Sequence, residues 1–351
     1  MINRRDFARL CSVTAAGVAA ASISADAAPK AAARVSRTVV KPKRLAAGDT
    51  VGLVLPAAAA FERDEISLAK EQLETIGFHV ELGRHVYDQW GYFAGRDRDR
   101  AEDINRMFAD DRIAGVVCYT GGWGSPRVLP FLDYDLIAHK PKVVIGYSDI
   151  TALLNAIHLR TGLVTFHGPM GGSNFVPYTL DNFRRVVMTA EPAGLLQPPP
   201  KKENELVDRA NRIVRIAGGK ASGRLVGGNL TMISTLMGTP FEVETAGAIV
   251  FLEDVHEEPY RIDRMLTQLA AGGKFDGIAG VVFGRCSDCG YKGPTFSLED
   301  ILRDRFASIG VPAISGLSFG HIEQKLAMPI GVMATLDGDS GTLSLDEAAV
   351  R

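Results

Sequence analysis

The sequence predicts an α/β protein in which a doubly wound, mostly parallel sheet precedes a second, β-leaning domain. Three observations carry this. Short apolar runs alternate with segments of helical period through the first half of the chain. The alternation breaks near Glu191 and gives way to Pro198-Pro199-Pro200-Lys201-Lys202, a stiff, exposed stretch suited to a linker. Beyond it lie glycine-rich, strand-like segments with a single strong helical pattern among them.

In chain order, Thr50 to Leu55 reads as a buried strand that Pro56 ends. Asp64 to Ile76 places Ile66, Ala69, Leu73 and Ile76 on one helical face, and Gly77 follows as the left-handed closing residue. Phe78 to Leu82 reads as the second strand, and Ala101, Ile104 and Phe108 line the next helix. Strands Ala114 to Tyr119 and Lys142 to Ile145 follow, the latter leading into a helix through Leu153, Leu154 and Ile157. In the second half, Ala248 to Leu252 and Ile278 to Phe283 are strands. Between them Ile262, Met265, Leu266 and Leu269 form a helical stripe that Gly272-Gly273 closes. No internal repeat is visible. The organisation expected is residues 45–191 as one domain, 192–206 as linker and 207–351 as the second domain.

The amino terminus reads as an address. Arg4-Arg5 and Phe7 open a basic stretch, an alanine-rich apolar run extends from Leu10 to Ile23, and Ala25-Asp26-Ala27 fits a small-x-small cleavage site. The paired arginines resemble a twin-arginine export signal over residues 1–27, which predicts a periplasmic protein, or a cytoplasmic one if the signal does not function. A Pro/Ala/Lys-rich leader then spans residues 28–44.

The 351 residues are 46% hydrophobic and 23% charged, with 39 Lys+Arg against 41 Asp+Glu, a net charge of -2. That balance gives no basic field for nucleic acid, and the mature chain offers no uncharged apolar stretch long enough to span a bilayer. Four cysteines are too few for a disulfide scaffold. The single Cys286-Ser287-Asp288-Cys289 lacks a second pair, so a local disulfide or two thiols is expected rather than a zinc site. No metal, nucleotide or flavin motif stands out, and the expected chemistry is cofactor-free.

Two serines sit where a strand hands over to a helix, the position at which a sharp turn presents Oγ at the carboxyl edge of a sheet. Gly121-Gly122-Trp123-Gly124-Ser125 follows one apolar run; Gly146-Tyr147-Ser148-Asp149 follows another. Neither matches G-x-S-x-G. Ser148 with Asp149 suits a helix N-cap, whereas the three glycines before Ser125 suit close backbone approach to a ligand, which favours Ser125 as nucleophile. For its base, His256, His321 and His167 are all candidates, and spacing does not choose among them. For the orienting acid, Glu253 at the end of an apolar run is preferred to Asp254 and Glu257, which suit the start of the following helix.

Taken together, these blocks resemble the LD-carboxypeptidases, the murein tetrapeptide carboxypeptidases. The residues that carry the likeness are Gly121-Gly122-Trp123-Gly124-Ser125, Ile145-Gly146-Tyr147-Ser148-Asp149-Ile150-Thr151, His167-Gly168-Pro169-Met170, Gly227-Gly228-Asn229-Leu230, Leu252-Glu253-Asp254-Val255, Pro259-Tyr260-Arg261-Ile262-Asp263-Arg264 and Phe319-Gly320-His321. They run in family order over nearly the whole mature chain. The resemblance implies a Ser125–His321–Glu253 triad, with serine on the α/β domain and the other two on a smaller β-rich C-terminal domain. The site would lie in the cleft between them. It implies release of terminal D-alanine from a murein tetrapeptide, with an oxyanion or substrate site in Gly121, Gly122, Trp123 and Gly124, the Gly122 amide above all. Family precedent makes a second copy of the chain a candidate partner.

Two features depart from the family pattern. Thr120 stands where Arg usually precedes Gly-Gly, which weakens one means of recognising a substrate carboxylate. Pro126 has no N–H, so the residue after Ser125 could not donate to an oxyanion. A related branch, the microcin C immunity peptidases, cleaves a peptidyl-nucleotide, and Trp123 could stack on a base there. A murein-peptide binding protein without catalysis is the remaining alternative, though a mere binder has no use for serine, histidine and glutamate together.

Overall fold

Short apolar runs of the first half become the interior of a six-stranded sheet. The computed structural model describes residues 38–201, 206–208, 211–290 and 293–351, so the expected signal at 1–27 lies outside the described residues, as does the leader up to residue 37. The chain proceeds through β1 (Thr50–Val54), α1 (Arg63–Ile76), β2 (His79–Leu82), α2 (Asp97–Ala109), β3 (Ile113–Cys118), α3 (Ser125–Val128), α4 (Tyr134–His139), β4 (Val143–Gly146), α5 (Thr151–Thr161), β5 (Thr165–His167) and α6 (Pro177–Phe183). Strand order is β2-β1-β3-β4-β5, all parallel, the arrangement that strand–helix alternation predicts. Helix α1 buries Ile66, Ala69, Leu73 and Ile76 as its period requires, and Gly77 closes it at φ 117°. Val143, Val144 and Ile145 in β4 are wholly buried, contributing about 1.5–3 kcal/mol each.

The second half forms an eight-stranded sheet from β6 (Gly194–Leu195), β7 (Val214–Ala217), β8 (Lys220–Asn229), β9 (Ala248–Val255), β10 (Gly280–Ser287), β11 (Ala313–Ser315), and, after β12 (Met328–Ile330), β13 (Met333–Asp337) and β14 (Thr342–Leu345). Helices α7 (Leu230–Thr235), α8 (Pro259–Ala271) and α9 (Leu298–Phe306) lie between these strands in sequence. The middle of this sheet, β8-β9-β10-β11, is itself parallel. It is therefore an α/β layer with antiparallel margins, more than the β-rich domain the sequence suggests.

Two connections escape the sequence pattern. Strand β12 leaves the second half to pair antiparallel with β5, which makes it the outer strand of the first sheet. The expected linker begins as structure, since Gly194–Leu195 pairs with β14 and Leu196 is buried. The end of the leader is likewise tied down, with Val40 bridging Leu163. Among the described residues, no helix is long and apolar enough to cross a membrane.

Candidate active site

At the carboxyl end of β4 the backbone turns sharply through Tyr147 into a short 3-10 turn over Ser148–Ile150 and on into α5. Ser148 sits at the apex with φ 64°, in the left-handed region that side-chain-bearing residues rarely enter. Two glycines make the turn sterically feasible. A Cβ on Gly121 would stand 2.7 Å from the Ser148 Cβ and 3.1 Å from the Asp149 nitrogen, and one on Gly146 would strike Ile150 at 2.7 Å. The glycine loop after β3 thus passes directly over the serine.

His321 reaches the same point from the second half of the chain. Its Nε2 lies 2.9 Å from Ser148 Oγ and its Nδ1 2.8 Å from Glu253 Oε2. An ionised carboxylate can only accept, so Nδ1 carries the proton and Nε2 is left to accept the Ser148 hydroxyl. Glu253, on β9, is fully buried. Gly320, at φ 108°, leaves room for that carboxylate, because a Cβ there would fall 2.5 Å from Oε2. Burial alone would raise the Glu253 pKa. The hydrogen bond and charge of His321, helped by His167 and Asn229, outweigh it and hold the carboxyl below the ordinary glutamate range. The Ser287 hydroxyl donates to the His321 carbonyl at 2.8 Å and steadies the loop.

The two halves are fastened together next to this constellation. The Asn229 N–H donates to Thr151 Oγ1 at 3.0 Å, and Asn155 Nδ2 donates to the Gly227 carbonyl at 2.9 Å, so α5 and β8 are in fixed register. Asn229 pairs with Glu253 across β8 and β9. Gly227 and Gly228, at φ 136° and 135°, are needed because side chains there would meet the Phe251 carbonyl and Thr151.

The expectation that Ser125 meets His321 is corrected by the geometry. Ser125 is fully buried, its hydroxyl donates to the Asp149 carbonyl, and its N–H donates to Asp149 Oδ2 at 2.7 Å. It lies at the start of α3 and braces the turn that carries Ser148. Burial raises the Asp149 pKa above the usual aspartate range even against the lowering bonds from Ser125 and Gly124. The residue after Ser148 is Asp149, which has an N–H, so the objection raised by Pro126 does not apply to the serine that His321 contacts.

Of the other sequence candidates, Gly121 borders Ser148, Gly122 packs on Ala58 at φ 94°, and Gly124 packs on the Phe93 ring at φ 116°. Trp123 is exposed, its ring 6.0 Å from that of Tyr92. His256 is mostly exposed and faces Asp288 at 3.2 Å. His167 is fully buried with Nε2 3.8 Å from Glu253 Oε1, and neither ring nitrogen has a hydrogen-bond partner among the described residues. Burial pulls its pKa down to about 4, so at neutral pH this contact is not an ion pair. Cys286 and Cys289 are joined as a disulfide, and Cys118 is a buried thiol. Among the described residues, His85, Asp88 and Asp99 form the grouping with metal-ligand spacing, and none of them belongs to the Ser148 site.

The site could have been found from strand–turn–helix geometry. Val143-Val144-Ile145-Gly146 is the cleaner buried strand and carries Gly two residues before Ser148. The second glycine of the motif is missing because the close approach comes from Gly121, on another loop. No local pattern records that.

The likeness to known proteins extends over both halves of the chain. Residues 51–168 match the model of the LD-carboxypeptidase N-terminal domain, and residues 222–336 match that of the LD-carboxypeptidase C-terminal domain. A probable murein peptide carboxypeptidase of Bacillus subtilis is 39% identical over 85% of this chain and 91% of its own length. The murein tetrapeptide carboxypeptidase of Pseudomonas aeruginosa is 35% identical over 82% of this chain and 93% of its own. Among solved structures, the microcin C7 self-immunity protein MccF superposes with a TM-score of 0.81 at 26% identity, covering 89% of this chain and all of that one.

Proposed function

The chain belongs to the LD-carboxypeptidase family, and on that premise we propose that it is a serine peptidase releasing terminal D-alanine from murein tetrapeptides. The observation that carries the reading is the continuous hydrogen-bonded line Ser148–His321–Glu253. Ser148 Oγ attacks the carbonyl of the L-centre while its proton passes to His321 Nε2. The imidazolium is stabilised by the Glu253 carboxylate, which is held ionised. The tetrahedral oxyanion calls for backbone N–H donors, for which Asp149, the residue after Ser148, and the Gly121-Gly122 loop that crosses the turn are the candidates. His321 then protonates the D-alanine nitrogen as the C–N bond breaks. Water, activated by the same imidazole, frees the acyl group from Ser148. No step calls for a cofactor.

Mass analysis of products from murein tri-, tetra- and pentapeptides tests the proposal: loss of one D-alanine from the tetrapeptide alone supports it, and an unchanged tetrapeptide overturns it. A second reading rests on the structural likeness to MccF, namely hydrolysis of a peptidyl-nucleotide amide. Release of a nucleotide in place of D-alanine would favour that one. The twin-arginine-like start supports export to the periplasm, which predicts a mature N-terminus near Ala28; the intact Met1 form in cytosol would overturn it.

A further inference from the structure

Beside the triad stands a cation for which the mechanism above has no use. Lys325 is only 5% exposed, and its Nζ lies 4.1 Å from the centroid of the Tyr147 ring. Tyr147 immediately precedes Ser148, and its ring is edge-on to that of His321 at 5.0 Å. Among the described residues the ammonium has no carboxylate within ion-pair distance and no hydrogen-bond acceptor. It is also absent from the sealed, unpartnered polar atoms, which include both ring nitrogens of His167 and Glu253 Oε1, so it keeps an opening to solvent. Its backbone is fixed on both sides: the Lys325 N–H donates to Thr179 Oγ1 at 3.0 Å, and the Leu326 N–H to the Ser318 carbonyl at 2.7 Å. A cation 5% exposed, stacked on an aromatic face and open on one side with no anion beside it, is arranged to receive one.

We propose that Lys325 is the anchor for the terminal carboxylate of the substrate, an inference that rests on the LD-carboxypeptidase reading. In a D-alanine-terminated peptide that carboxylate is two bonds from the scissile nitrogen, the atom His321 must protonate. Lys325 and His321 stand against the same Tyr147 ring, so one ligand can meet both. The assignment also accounts for Thr120 where the family usually has Arg, because the cationic partner comes from the second half of the chain. A carboxylate held this way fixes the register of cleavage at the last residue, as exopeptidase action requires.

The test compares kcat/KM for murein tetrapeptide and for its C-terminal D-alaninamide analogue, in wild type, Lys325→Met and Lys325→Arg. Wild type is expected to prefer the free acid by roughly 30- to 1000-fold, the usual cost of removing one partner of a buried charge pair. In Lys325→Met that preference collapses to within a few-fold, and Lys325→Arg restores part of it. Because the readout is a ratio on one preparation, it does not depend on how much of a variant is folded. An undiminished preference in Lys325→Met overturns the anchor and leaves the peptidase reading intact, as does a wild type that cleaves both peptides equally. A wild type that releases nothing from either peptide overturns the peptidase reading and the anchor together.

Discussion

Two glycine-flanked serines follow adjacent parallel strands, and the molecule uses them in opposite ways. Ser125, after β3, takes an ordinary helical position and turns its hydroxyl inward to the Asp149 carbonyl. Ser148, after β4, is held at φ 64° with its hydroxyl on His321. The buried acids beside them diverge in the same sense. Glu253 faces imidazoles and is held low, whereas Asp149 accepts mainly from neutral backbone and hydroxyl donors and is pushed up by burial. Strained backbone and an acid kept ionised occur together on one side only. It is that pairing, and not the glycines, that distinguishes the serine the proposed mechanism uses.

The comparison breaks outright if the wrong serine carries the reaction. Ser148→Ala is expected to lower kcat for D-alanine release by roughly 10⁴- to 10⁶-fold while the far-ultraviolet dichroism and melting profile stay as in wild type. Retention of wild-type release would remove Ser148 from the mechanism.

Glu253→Gln separates the two sides next. A glutamine at Nδ1 no longer fixes the tautomer that lets Nε2 accept from Ser148, and the expected loss is roughly 10³- to 10⁴-fold in kcat. Residues acting as a unit are not additive, so Glu253→Gln should add almost nothing to Ser148→Ala. Should the two losses multiply in full, Glu253 and Ser148 do not work through one imidazole.

His167 sharpens the contrast through pH. Its imidazole has a pKa of about 4 when folded against about 6.5 when free, so the unfolded chain binds more protons between those values. Stability from this group is therefore complete above pH 6.5 and is lost as pH falls toward 4. His167→Gln removes the titration, and the drop in unfolding free energy between pH 7 and pH 4.5 should shrink by about 2 kcal/mol. Urea unfolding at the two values measures it. An equal drop in wild type and variant would mean that His167 is not held neutral.

The sequence made most of the fold legible wherever a single period governed a segment. Ile66, Ala69, Leu73 and Ile76 are buried as α1 requires, and the runs at β3, β4, β9 and β10 are strands. Pairings that join distant segments were not legible. The return of Met328–Ile330 to β5 has no local signature, and neither has the parallel centre of the second sheet. Glu253 and His321 could be named from the family resemblance, and they do meet. The serine could not be chosen correctly, because the deciding contact, Gly121 against Ser148, links loops 27 positions apart in the sequence. Glycines read as clearance for a ligand were clearance for another turn of the same chain.

Ser125→Ala is the mildest of these changes and the one that defines what the first turn is for. The substitution deletes the hydroxyl that donates to the Asp149 carbonyl but keeps the Ser125 N–H bond to Asp149 Oδ2. One buried acceptor loses its donor, which costs about 1–3 kcal/mol of stability, read as a lower denaturant midpoint with an unchanged slope. The turn that positions Ser148 then has one restraint fewer, and a small displacement of the nucleophile lowers kcat by up to about 10²-fold, with KM little altered. That loss stays orders of magnitude short of the loss in Ser148→Ala, since oxygen, imidazole and carboxylate all remain. If Ser125→Ala were as inert as Ser148→Ala while melting like wild type, Ser125 would be doing chemistry after all, and the turn it braces would be the support rather than the site.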